Sequence, residues 1–319
     1  MKNVLYLILI MTCSLGLTTT ESSLGAEKNE FKPTGLQLYY GNDSEVLSDL
    51  QEKMQKGQVV IIELRSLSQN QIAEIVKKAR LVGSKVIAYI SIGELGQLEK
   101  ANFEQFLKEK KIPTSLDSMI LSKNEAFQSW RIDVSEKSWR EFLKQKIKHI
   151  YKQNVDGLFL DTVDTSDLYI TRKEWSISRR AQNVKAMISL IRLIKAFSPE
   201  KFIMQNRGLN LIGKNVFVGD ATGIFIAGLD LAHSHPDNPD GLLWTGAYAY
   251  SSAWIASKER DLIQIRKNGF TSVFTLGYAD TNVSRKQFFQ NSRAAGFIPT
   301  WASSNTKLHK ELTQNTETE

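Results

Sequence analysis

Cysteine is almost missing from this chain: Cys13 is the only one among 319 residues, and it lies inside an apolar run at positions 4–17. A product cleaved after that run carries no thiol, so neither a disulfide framework nor a cysteine nucleophile is expected of it. No glycine-rich phosphate loop follows any apolar run, which removes the usual nucleotide-binding readings. No Gly-x-Ser-x-Gly elbow occurs, and His149 and His309 stand without the partners of a catalytic triad. Lysines and arginines are not interleaved with aromatic residues as in a nucleic-acid groove, so nucleic acid is not an expected partner. Lys85 and Lys201 begin apolar runs rather than closing them, which disfavours a Schiff-base lyase. The 14 apolar residues at 4–17 fall short of the roughly 20 that span a bilayer. No internal repeat or low-complexity tract is present.

What the chain does have begins with an export pattern. Lys2 precedes the apolar run, and a polar stretch ending in "SSLGA" offers small residues for cleavage near Ala26, so residues 1–26 read as a secretory signal peptide. Lipid attachment at Cys13 is the weaker expectation, because Thr12 in "IMTC" occupies a place that wants a smaller side chain. The expected organisation is a polar leader at 27–33, one domain at 34–303, and a polar, mobile tail at 304–319. A secreted or cell-surface protein of net charge +7 suits an anionic cell wall or membrane surface as partner.

At 42% hydrophobic residues the chain can bury a sizeable core. Short apolar runs alternate with segments of helical periodicity, the pattern of βα units around a parallel sheet. The predicted strands are "GLQLYY" (35–40), "VVIIEL" (59–64), "VIAYIS" (86–91), "GLFLD" (157–161), "FIMQN" (202–206), "GIFIA" (223–227), "SVFTLG" (272–277) and "FIPTW" (297–301). Helical faces lie between them, for example Trp139, Phe142, Leu143, Ile147 and Ile150. Eight such strands predict an α/β fold of the (β/α)8 TIM-barrel kind in a single domain. Two connections, 92–156 and 228–258, are long enough to build over one end of it.

In such a barrel, function gathers where strands end. The strand ends supply Tyr39 and Tyr40, Glu63 and Arg65, Ser91, Gly93 and Glu94, Asp161 and Asp164, Gln205, Asn206 and Arg207, Ala227 and Asp230, Tyr278 and Asp280, and Trp301. Acids and amides that read hydroxyls, with rings that stack on pyranoses, make a polysaccharide the expected substrate. Asp161, closing an apolar strand, is the expected catalytic carboxylate, and Tyr39, Asp164, Gln205, Asn206, Tyr278 and Trp301 are the expected substrate-binding residues. Asp156 reads as structural and Asp167 as a local cap on the next segment. His233 and His235 share a segment without a third ligand at metal-site spacing, and neither a metal nor another cofactor is expected.

The segments "VIAYISIGEL", "VDGLFLDTVD", "FIMQNRGLNL", "TGIFIAGL", "TLGYAD" and "AAGFIPTWA", in this order and spacing, resemble the family-114 glycoside hydrolases. These are (β/α)8 proteins described as endo-α-1,4-polygalactosaminidases and related to the hydrolase domains of Pel-type exopolysaccharide systems. The resemblance implies hydrolysis of an amino-sugar-rich exopolysaccharide, with a catalytic aspartate at Asp161 and with Asp164 and Glu94 in the sugar site. It also implies a catalytic glutamate at the end of a stretch like Asp-Gly-Val-x-x-Glu after strand six. Here that stretch reads Thr222-Gly223-Ile224-Phe225-Ile226-Ala227, with alanine in the glutamate's place. Asp220 or Asp230 then supplies the second carboxylate, or Glu94 or Asp280 does, or the protein binds polysaccharide without cutting it.

Overall fold

The elements change where buried apolar runs give way to caps and glycines. The computed structural model describes residues 31–317, and from Pro33 onward the chain forms one compact unit. The expected signal segment and Cys13 lie outside the described residues. In chain order, β1 (Gly35–Tyr39), α1 (Ser44–Lys53), β2 (Gln58–Ile62), α2 (Gln69–Val82) and β3 (Lys85–Ser91) form the first units. Helix α2 shows how such a unit is punctuated: Ser68 and Gln71 make a reciprocal capping box at its start, and Gly83, at φ +76°, ends it in the left-handed region. The long connection after β3 holds β4 (Glu94–Gly96), α3 (Gln97–Glu109), α4 (Leu116–Met119), β5 (Ile120–Asn124), β6 (Ser129–Ile132) and α5 (Lys137–Tyr151). Strands β4, β6 and β5 make a small antiparallel sheet.

The chain continues through β7 (Gly157–Asp161), α6 (Thr165–Thr171), α7 (Ile177–Phe197), β8 (Phe202–Asn206), β9 (Asn215–Gly219), β10 (Gly223–Ala227), β11 (Gly241–Thr245), α8 (Ala253–Asn268), β12 (Ser272–Tyr278), α9 (Arg285–Ala294) and β13 (Ile298–Ala302). Eight strands form one sheet in the order β1-β2-β3-β7-β8-β11-β12-β13, every pair parallel, with β13 coming alongside β1. This is the expected (β/α)8 barrel.

Its sixth strand, however, is β11, "GLLWT", and not "GIFIA". The latter is β10, paired antiparallel with β9 in a hairpin inserted after β8, with Ala227 opposite Asn215. Both stretches are short, apolar and glycine-started, so their composition does not separate them. The segments on their C-terminal sides do: β11 leads to helix α8, whereas β10 leads to residues 228–240, which contain Pro236 and Pro239 and no helical period.

Side chains alternate across each strand, and the barrel sorts them accordingly. Leu36, Leu38, Ile61, Ile87, Phe159, Leu243, Phe274 and Leu276 are buried inside the barrel. Val60, Ile62, Val86, Ala88, Leu158, Leu160, Ile203 and Leu242 pack outward with the helices in a second, larger apolar layer. The seam between first and last strands is filled by the polar tail expected to be mobile. The Leu38 amide donates to Thr313 Oγ1 at 2.9 Å, the Tyr40 amide to the Leu308 carbonyl at 2.8 Å, and Trp301 forms an antiparallel bridge with Gln314. Leu308 and Thr313 are buried there. Among the described residues no helix is long and apolar enough to cross a membrane.

Candidate active site

At the C-terminal ends of the strands lies a cavity of about 1040 Å3, whose lining includes Tyr40, Glu63, Tyr89, Glu94, Asp161, Asp164, Asn206, Arg207, Thr245 and Tyr278. Asp161 ends β7 on the same side as Phe159, so the strand's alternation aims it into the barrel mouth. Both its oxygens are held: Tyr89 Oη donates to Oδ2 at 2.8 Å and Asn206 Nδ2 donates to Oδ1 at 2.8 Å. The Thr245 hydroxyl donates to Asn206 Oδ1 at 2.6 Å, which orients the amide so that its nitrogen faces Asp161. Three strands thus position one carboxylate.

Backbone strain is stored directly behind these side chains. Thr162, next after Asp161, has φ +61°, and Arg207, next after Asn206, has φ +55°, both in a region that non-glycine residues seldom occupy. Thr162 is held there by its hydroxyl, which accepts from the Gly93 amide at 2.8 Å and bonds Ser91 Oγ at 2.9 Å. Arg207 is held by its amide, which donates to the Leu243 carbonyl at 2.8 Å. Gly93 is required by this packing: a Cβ there would stand 2.4 Å from the Thr162 carbonyl oxygen and from Thr165 Oγ1.

Three phenols surround Asp161. Burial pushes the Tyr40 and Tyr89 hydroxyls well above their ordinary range, and the negative charge of Asp161 pushes them further; Tyr278 is raised by the same two causes. They therefore stay protonated as hydrogen-bond donors. Asp164, at the start of α6, pairs with Arg207 Nη1 at 2.9 Å. Burial raises its proton affinity, Arg207 opposes that, and the neighbouring Asp161 adds to it; the net direction is upward. The site thus sets a carboxylate facing two donors beside a carboxyl group that holds its proton more tightly than usual.

Asp161, Asp164, Asn206 and Tyr278 are brought together as expected. Tyr39 is not among them: it faces the helix layer, where its hydroxyl accepts from the Asp43 amide at 3.0 Å, and Tyr40 takes the cavity position one residue on. Gln205 also faces outward from β8 and donates to the Arg207 carbonyl at 2.9 Å. Trp301 packs in the outer layer, its ring 5.2 Å from that of Phe288. Each of these three is one residue out of register with the cavity, since neighbouring side chains on a strand point to opposite faces.

The candidates for a second carboxylate separate as clearly. Glu94 reaches the cavity wall, but its carboxylate is buried and engaged by Asn124 Nδ2 at 3.1 and 3.2 Å, by Ser129 Oγ and by Arg131 Nε at 3.4 Å, so it ties the small sheet together. Asp220 sits at the hairpin turn near Arg180, 3.8 Å away. Asp230 bonds His233 Nδ1 at 2.8 Å. Asp280 is exposed and lines a neighbouring chamber. Ala227 is exposed on the hairpin. Two further residues of the site, Tyr89 and Thr245, are not singled out by the sequence reading. Alternation back from Ser91 points to the first, and the second lies on β11, the true sixth strand.

No curated protein matched this sequence. Among solved structures, the glycoside hydrolase domain of PelA from Pseudomonas aeruginosa is 18% identical, with a TM-score of 0.59 over 84% of this chain and 94% of that one. Aspergillus fumigatus Ega3 in complex with galactosamine is 14% identical, with a TM-score of 0.55 over 90% of this chain and 95% of that one. At these identities the likeness speaks to the fold, which is shared nearly end to end. The sequence model of glycoside-hydrolase family GH114 matches residues 21–221, a segment that contains Asp161, Asp164 and Asn206 and stops short of Ala227. With that match over more than half its length, this chain belongs to glycoside-hydrolase family GH114.

Proposed function

We propose that this protein hydrolyses an amino-sugar-rich exopolysaccharide of the α-1,4-galactosamine type, with Asp161 as the acceptor carboxylate and Asp164 as proton donor. The observation that carries the reading is the grip on Asp161: a carboxylate at the mouth of a glycoside-hydrolase barrel, fixed through both oxygens by Tyr89 and Asn206. As the glycosidic bond breaks, the Asp164 proton passes to the leaving oxygen while the Asp161 charge stabilises the oxocarbenium-like centre. Water completes the substitution, either activated by Asp161 or by opening an ester formed on it. The galactosamine bound by Ega3 and the acidic, aromatic lining found here support a cationic sugar as substrate. Export to the cell surface belongs to the same proposal, motivated by the N-terminal pattern.

A second reading, binding without cleavage, is favoured by one observation, the alanine at position 227. Purified protein incubated with α-1,4-galactosamine polymer, with new reducing ends as the readout, separates the two. Cleavage that falls about 10²- to 10⁴-fold in Asp161→Asn supports hydrolysis. Polymer binding without any release of ends by the wild type establishes the second reading, and undiminished release by Asp161→Asn removes Asp161 from the chemistry.

A further inference from the structure

Beside the main cavity lies a second chamber of about 320 Å3, whose walls share Arg207, Thr245, Gly246, Tyr278 and Asn305 with the first. Its own wall contains two carboxylates, Asp167 and Asp280, the buried Trp244 and two exposed aromatic rings, Tyr250 and Trp254. The rings are open to solvent, Tyr250 at 74% and Trp254 at 45% exposure. Trp254 is fixed nonetheless, its indole N–H donating to Asn210 Oδ1 at 3.2 Å. The Asn210 side chain also favours the charged form of Asp167. One amide therefore stands between an exposed ring and a carboxylate.

Asp167 is under-supplied with donors. Its Oδ1 is shut off from solvent and has no hydrogen-bond partner, although the residue stands at the chamber wall. A carboxylate acceptor kept from water without its donors is costly, and a cation docked against the accessible part of the side chain offsets some of that cost through its charge. Burial pushes this carboxyl up to about 6, with Asp164 adding to the rise, while Asn210, Arg207 and Lys258 work against it.

We propose that the second chamber is a separate sugar-binding subsite, taking an amino-sugar unit further along the polymer, with its ring stacked on Trp254 and its ammonium group read by Asp167. This rests on the hydrolase reading only for the identity of the polymer. The geometry of the chamber supports the rest: a planar apolar face of Trp254 for the sugar ring, carboxylates for its cationic substituent, and walls shared with the cleft that holds Asp161.

The test is calorimetric titration of the full chain with α-1,4-linked galactosamine disaccharide and with a longer oligomer of the same sugar, each also in N-acetylated form, alongside a reducing-end assay. The wild type is expected to bind the longer oligomer more tightly and to prefer the free amine. Trp254→Ala is expected to weaken the longer oligomer about tenfold and to leave the disaccharide unchanged, with Trp254→Phe restoring most of the loss. Asp167→Asn is expected to remove the preference for the free amine. Affinity independent of oligomer length in the wild type overturns the subsite, as does equal weakening of both lengths by Trp254→Ala. Length-dependent binding that responds to Trp254 but yields no new reducing ends leaves the subsite standing and overturns hydrolysis.

Discussion

The two strand ends that the family resemblance singles out have been treated very differently by this fold. At the end of β7, Asp161 is locked by Tyr89, by Asn206 and, through Asn206, by Thr245, with strained backbone at Thr162 and Arg207 held in place behind it. At the end of β10, Ala227 is exposed, the nearby Phe225 is 72% exposed, and its ring contact is with Phe217, itself 38% exposed, ring centres 5.2 Å apart. Holding non-glycine residues at positive φ costs on the order of 1–3 kcal/mol each. Thr162 and Arg207 carry that cost directly behind Asp161 and Asn206, whereas Ala227 sits on a hairpin outside the lining of the cavity. The contrast teaches that the placement of Asp161 is specified in detail by three strands, whereas that of residue 227 is not.

The sharpest way to break this contrast is to loosen the locked side. Asn206→Leu removes a donor from Asp161 and strands the Thr245 hydroxyl, so reducing-end release is expected to fall about 100-fold, the equivalent of about 3 kcal/mol. Unchanged turnover would show that the grip on Asp161 has no catalytic consequence.

Asp167 lies between the two regions, on the helix α6 that leads from the Asp161 side toward the hairpin, half-buried and with its Oδ1 lacking a hydrogen-bond partner. Its carboxyl, held at about 6 rather than 3.8, is stabilising only while protonated. Ionisation in the folded state therefore costs stability that begins to be lost above about pH 4 and is fully lost above about pH 6, up to about 3 kcal/mol. Asp167→Asn is accordingly expected to raise Tm at pH 7–8, with the gain fading toward zero as the pH falls below about 4. A gain that persists at low pH would show that burial of the charge is not its source.

Thr245→Val keeps the shape of the locked side and removes one donor. The Asn206 amide is then free to turn, and kcat is expected to drop about tenfold with KM nearly constant. A rise in KM at constant kcat would reassign Thr245 to substrate binding. The smallest effect is expected from Ala227→Glu, because the site cavity is built without this exposed position: activity should stay within about threefold of wild type. A gain of 100-fold or more would make the hairpin the seat of a lost acid and displace Asp164 from that role.

Seven of the eight barrel strands, and the residue on which the site turns, were legible in the sequence because buried parallel strands are continuous apolar runs and Asp161 interrupts one at its end. Strand six was not, since "GIFIA" and "GLLWT" carry the same local signal and differ only in whether a helix comes next. Tyr39, Gln205 and Trp301 face away from the cavity for another reason: at a strand end, adjacent residues are equally polar or aromatic, and the facing of each is settled by register counted from the buried residues two and four positions back. The tail's composition hides its packing, because "NTKLHKELTQNTETE" contributes backbone bonds, the Thr313 hydroxyl and two leucines, Leu308 and Leu312, rather than a continuous apolar face.

That seam sets an order of events. The amide of Leu38 and the hydroxyl of Thr313 are 275 residues apart in sequence, so the barrel's first strand has its final neighbour only after a ribosome has made residue 313. Contacts of such separation form late and slowly. Until then the edge of β1 is an open strand, available to any chaperone or to another chain, and residues 308–314 act as the latch that ends that exposure.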